Sequence, residues 1–142
     1  MTDRFELERF VEAQAGVYDQ VCAELRAGRK RSHWMWFVFP QIRGLGSSPM
    51  AVRYAISGLD EAQAYLDHLV LGARLRECAG IVCGVQGRTV EGIFGYPDDL
   101  KFHSSMTLFA KAAEGSEGNG VFREALEKYF GGEMDRGTLE RV

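Results

Sequence analysis

The chain has 142 residues, 46% of them hydrophobic, and 17 basic against 20 acidic side chains give a formal net charge of −3. This is enough chain for one domain, residues 1–142, with a core that needs neither disulfides nor a structural metal, and the weakly acidic balance argues against nonspecific nucleic-acid binding. Cys22, Cys78 and Cys83 are odd in number and lie among apolar helical positions, as reduced thiols do, while no stretch approaches the ~20 apolar residues that span a bilayer, so a cytoplasmic protein without a membrane partner is expected.

In chain order, Leu7, Phe10, Val11, Gln14, Tyr18, Val21, Cys22 and Leu25 follow one another at helical spacing, which predicts helix over 3–27 with Asp3 at its start. Gly16 can split it in two, and Gly28 suits its end. Gln14 is the polar residue on the buried stripe, read as an amide bonded to neighbouring backbone or as a contact to a ligand. Arg26, Arg29, Lys30, Arg31 and Arg43 then gather positive charge around the most unusual stretch of the chain, residues 32–46. Both tryptophans are here. Six large apolar residues in succession, Trp34, Met35, Trp36, Phe37, Val38 and Phe39, cannot share one face of a helix or strand, so the run is expected to be buried nearly all round. A short helix over 33–39 is predicted, with Ser32 as its cap and Pro40 as its stop. A buried strand is the competing assignment. His33 and Gln41 stand at the two ends, where a buried segment surfaces.

Gly44 and Gly46 lie in a loop, and Ser48-Pro49 reads as cap and first residue of a helix over 50–56. Further helices are predicted from Ser57 or Asp60 to Leu66 and over 71–85, with His68 as a capping residue between them and Gly87 beyond. Cys78 and Cys83 are five apart and point in different directions, so no metal site is assigned. Thr89 opens a turn of helix to Phe94, and Asp98 is placed as the cap of a helix whose residues Lys101, Ser104, Ser105 and Thr107 put a cation and three hydroxyls within two turns. That strip either lines a concave surface or consists of hydroxyls bonded to their own helix carbonyls beside a lysine reaching for water. Residues 114–120 read as a flexible loop, 121–130 as a helix stopped by Gly131, and Asp135 or Thr138 as the cap of a final turn. The fold expected is all-α, with six to eight short helices around the buried aromatic element.

His33-Trp34-Met35-Trp36-Phe37-Val38-Phe39-Pro40-Gln41 with Gly44-Leu45-Gly46, together with Ile93-Phe94-Gly95, Lys101 and Ser104-Ser105-Met106-Thr107-Leu108-Phe109, resembles the signature of a bacterial family catalogued as domain of unknown function 1810. The resemblance extends over almost the whole chain and implies a mainly α-helical domain, with no activity attached. Val70 departs from it, at a position where that family usually has proline.

Several chemistries are absent from the sequence. It carries no phosphate-binding loop, no glycine fingerprint after a strand and no grouped metal ligands, so no cofactor is assigned. Ser104 or Ser105, His33 or His103, and Asp98 or Asp99 supply the residue types of a hydrolytic triad but no nucleophile elbow. The reading adopted is a small-molecule site, binding or enzymatic, for an anionic or nucleotide-like metabolite, formed by His33, Trp36, Gln41, Lys101, Ser104 and Ser105 between the aromatic element and the Lys101 helix. A tryptophan would offer its face to a planar group and the lysine would hold the anion. The alternative is a noncatalytic helical module that recognises another protein or its own copy.

Overall fold

A helix of four residues does not recover its nucleation cost in water, so the aromatic run has to be held by its surroundings. The computed structural model describes residues 3–116 and 119–142. Ten α-helices form among the described residues: α1 (Glu8–Gln14), α2 (Tyr18–Arg26), α3 (Met35–Val38), α4 (Pro49–Arg53), α5 (Leu59–Asp67), α6 (Leu71–Gly84), α7 (Val90–Phe94), α8 (Asp98–Ala112), α9 (Gly120–Phe130) and α10 (Arg136–Leu139). The fold is all-α as expected. Its helices outnumber the six to eight anticipated because Gly16, at φ +79°, divides the first one, and the turns after Thr89 and Asp135 are regular helices.

Local signals explain most boundaries. The Oγ of Ser48 accepts the N–H of Ala51 and that of Thr89 the N–H of Gly92, so both cap as expected. Gly131, left-handed at φ +62°, ends α9. His68 is also a cap, but for the following helix: its Nδ1 accepts the N–H groups of Val70 (3.1 Å) and Leu71 (3.2 Å) at the start of α6. Helix α4 stops at Arg53, short of the expected boundary, because Ile56 is drawn into an isolated parallel bridge with Ile42. Arg43 donates there to the Ile56 carbonyl (2.8 Å) and Ile56 to the Gln41 carbonyl (2.9 Å). The loop expected over 114–120 includes residues 117 and 118, which lie outside the described residues.

Helix α8 is the centre of the packing. It meets α5, α7, α9 and α10, while α6 meets α2, α5 and α9, and α1 lies on α3. Every residue of α8 from 104 to 110 is buried, which is the condition of a helix enclosed on all sides. The aromatic run joins this core through Phe39, whose ring lies 6.3 Å from Trp34, 5.9 Å from Phe94 and 5.0 Å from Phe102, centroid to centroid. Five of its six large residues are buried, and Trp36 is the half-buried exception. Among the described residues no helix is long and apolar enough to cross a membrane.

Candidate functional site

The path of the chain into the aromatic element is set by one carboxylate. Glu24, on the last turns of α2 and nearly buried, accepts the N–H groups of Arg31 (2.7 Å) and Ser32 (2.9 Å), the Ser32 hydroxyl (2.7 Å), the Gln20 amide (2.9 Å) and the Trp34 indole N–H (3.1 Å). Burial alone pushes its pKa up, but the hydrogen bonds from Arg31, Ser32 and Gln20 outweigh that and bring it to about 2. Ser32 therefore serves the carboxylate and does not cap a helix. Helix α3 starts later than expected, at Met35, with Trp34 in the cap position and no side chain closing it. Its C-terminal end is held by Gln14, whose amide donates to the Phe37 carbonyl (2.7 Å) and the Tyr65 hydroxyl (3.3 Å) and accepts from Arg74 (3.3 Å). Gln14 is thus the internally bonded amide of the two alternatives.

With α3 fixed, Trp36 projects toward the first turn of α8. The ammonium of Lys101 lies 5.4 Å from the centre of the Trp36 ring, a cation over an aromatic face. It is also 3.4 Å from Asp98, one turn earlier. Asp98 is shared: its other oxygen is 2.8 Å from the ammonium of Lys30, which in turn sits 5.2 Å from the ring of Trp34. Two lysines and two tryptophans are strung along a single carboxylate. Lys30 keeps only 8% of its side chain exposed and Lys101 keeps 26%, so Lys101 is the cation that solvent reaches. Gln41 adjoins this surface in a crevice that Trp36 also lines with Gly44, Gly46 and Tyr54; its free volume is about 10 Å³, room for about one water.

The structure brings together Trp36 and Lys101 directly, and Trp36 and Gln41 through the crevice. It does not add the two serines. The single hydroxyl proton of Ser104 is shared between the Leu100 carbonyl (3.1 Å) and Asp135 (3.0 Å), the second joining α8 to the start of α10. Ser105 is wholly buried and its hydroxyl has no partner. The expected surface strip is corrected on this point: its hydroxyls face inward because that part of α8 is enclosed, and of the four strip residues Lys101 is the one that solvent reaches. Asp98 likewise does not cap α8 and is used in the ion pairs. His33 is exposed and makes no hydrogen bond or ion pair with the described residues.

No hydrolytic triad assembles from these side chains. His103 is committed through Nε2 to the Glu133 carbonyl (2.8 Å) and stacks on Phe130 at 3.9 Å, while Ser104 is committed to Asp135. Among the described residues no group of three or more His, Cys, Asp or Glu side chains comes together as metal ligands. The sequence reading overlooked Lys30 and Asp98 as members of the cluster. The spacing of Asp98 and Lys101, one turn apart, was a usable signal, whereas the approach of Lys30 depends on the tertiary fold.

No curated protein matches the chain. Among solved structures, the fold is similar to the crystal structure of the conserved hypothetical protein Rv1873 from Mycobacterium tuberculosis, with a TM-score of 0.93 and 64% identity over 97% of this chain and 96% of that one. The family described as "Protein of unknown function (DUF1810)" matches residues 4–142, and with nearly the whole length covered, the chain belongs to that family.

Proposed function

We propose that the protein binds a small anionic ligand with a planar group, a nucleotide-like metabolite, on the surface where Trp36 meets Lys101. The observation that carries this is the sharing of Asp98: two ammonium groups, at 2.8 and 3.4 Å, divide one carboxylate, and Lys101, the more distant and more exposed of them, lies beside an aromatic face. A phosphate or carboxylate would compete with Asp98 for the exposed Lys101, and a base or similar ring would lie on the half-buried Trp36. Gln41 would contribute an amide from the adjoining crevice. The crevice admits no more than a water, so the ligand lies across the surface. A cation, an amide and an aromatic face are the equipment of recognition, and the reading is accordingly one of binding.

The test is a thermal-shift screen of nucleoside monophosphates and aromatic carboxylates, ligands that carry both an anion and a planar ring. A ligand that binds only the folded state raises the melting temperature. Lys101→Ala should melt within a few degrees of the wild type without ligand, since its lysine is partly exposed, and should lose the ligand-induced rise. A rise that persists in Lys101→Ala contradicts the proposal.

A second reading, a noncatalytic interaction module, rests on a separate observation. Tyr96 and Leu100 are 75% and 52% exposed beside the same first turn of α8, an arrangement suited to an apolar contact. Concentration-dependent self-association in sedimentation velocity, abolished by Tyr96→Ser with Leu100→Ser, would favour it.

A further inference from the structure

A second concave region lies away from Lys101, between the segment before α1 and the chain on either side of the Ile42–Ile56 bridge. It is an open, predominantly polar hollow of about 870 Å³. Four arginines and four carboxylates line it, so its formal charge is zero. That balance is misleading, because the charges divide into two groups.

One group builds the hollow. Arg9 donates to the carbonyls of Arg53 (3.0 Å), Ala55 (3.0 Å) and Glu6 (3.0 Å), and to the carboxylate of Glu61 (2.9 Å). Glu61 also accepts the N–H and hydroxyl of Ser57 (2.9 and 2.8 Å). Asp3 accepts the N–H groups of Leu7 (2.7 Å) and Glu8 (2.9 Å), and the bonds from Glu8 and then Leu7 hold its pKa below the ordinary carboxylate value. These three side chains tie the N-terminal segment, α1 and the chain around Ala55 into one wall, formed before any ligand arrives.

The other group is exposed to solvent and unpaired. Arg4, Arg43 and Arg53 make no side-chain hydrogen bond or ion pair with the described residues, and neither do Glu6 and Glu12. Arg4 lies over the Phe5 ring at 4.8 Å and Arg53 over the Tyr54 ring at 5.6 Å. A guanidinium stacked on a ring keeps its N–H edge free to make in-plane hydrogen bonds. The hollow therefore presents three guanidinium groups and two carboxylates that line one surface without pairing.

We infer that this hollow is a binding site for a phosphorylated, hydroxyl-bearing small molecule of the sugar-phosphate class. Guanidinium N–H groups match phosphate oxygens two at a time, and Arg43 and Arg53 flank the bridge from which that contact would come. Carboxylates are acceptors without donors, so Glu6 and Glu12 suit the hydroxyls of such a ligand while the guanidinium groups take its phosphate.

The experiment titrates the full chain with ribose 5-phosphate, inorganic phosphate and ribose by calorimetry. The variants are Arg43→Ala/Arg53→Ala, Glu12→Gln, Lys101→Ala, and a charge control, Arg26→Ala/Arg29→Ala, whose exposed arginines lie elsewhere. Ribose 5-phosphate should bind the wild type more tightly than either fragment. Arg43→Ala/Arg53→Ala should lose at least about tenfold in affinity, the scale of a lost charge-assisted contact, while the charge control stays within about twofold. Glu12→Gln should weaken ribose 5-phosphate and leave inorganic phosphate unchanged. No saturable binding to the wild type, or equal losses in the charge control, overturns the inference. Loss in Lys101→Ala with retention in Arg43→Ala/Arg53→Ala also overturns it, and assigns the ligand to the Trp36 surface instead.

Discussion

Removing the charge of Glu24 would leave five donors around a group that no longer accepts them all, two of them backbone N–H groups that fix the chain before Trp34. Glu24→Gln keeps the size and one acceptor, yet brings two donors into a space already filled by donors. We expect it to lower unfolding free energy by about 2 kcal/mol, the scale of hydrogen bonds to a charged group, as measured by urea denaturation at neutral pH. The pH dependence has a defined sign. A carboxyl held at about 2 against an ordinary value of 4.5 contributes its full stabilisation above 4.5 and loses it as pH falls toward 2. Between those limits the wild type should lose more stability than Glu24→Gln, and parallel losses would count against this assignment. Nothing in the sequence singles Glu24 out, because its donors come from residues 20 to 34 through a turn whose path it sets. Gln14 was more legible: a polar residue on an apolar stripe has to face inward, whatever it bonds there.

Helix α3 has four residues and no side-chain cap, so its stability is borrowed from the rings around it. Phe39 is fully buried against three other aromatic side chains, and Phe39→Ala should cost about 3–5 kcal/mol. Trp36→Ala should cost less, because that side chain packs against the core only in part. Urea denaturation of both variants checks the order, and a larger loss for Trp36→Ala would contradict the placement of its ring. Periodicity and caps made most helices readable at this scale, as the break at Gly16 and the starts after Ser48 and Thr89 show. Helix α8 was misread in part. Ser104, Ser105 and Thr107 look like a polar strip on a surface helix, but their small side chains let neighbouring helices approach on every side. Ser104 and Thr107 then direct their hydroxyls to the carbonyls four residues back, at 3.1 and 2.9 Å. Packing around α8 depends on which helices meet it, and that information is not local in sequence.

Across the whole molecule the apolar residues form a connected core, with the three free cysteines in or beside it. Burial raises the pKa of the Cys78 thiol well above its usual value and that of Cys83 to about 11. Thiolate at neutral pH is correspondingly scarce. A disulfide reagent such as dithionitrobenzoate should therefore label the native protein slowly and all three thiols quickly in urea; fast native labelling of Cys78 would mean that α6 opens readily from α2. The Trp36 surface was legible as a collection of residues and not as a geometry. Trp36 and Gln41 are legible from the aromatic run and its end, and Lys101 from the strip on its own helix, whereas the ion pairs through Asp98 to Lys30 arise only when α8 is laid beside the aromatic element. The most direct measurement is a titration of ¹⁵N-labelled protein with adenosine 5′-monophosphate, followed in two-dimensional NMR spectra. The Trp36 indole, the Gln41 amide and the Lys101 backbone signals should shift together along one saturable curve, with the Trp34 indole, bonded to Glu24, moving less. Signals of Trp36 and Lys101 that stay in place at millimolar nucleotide, or saturable shifts confined to other parts of the chain, would contradict the account.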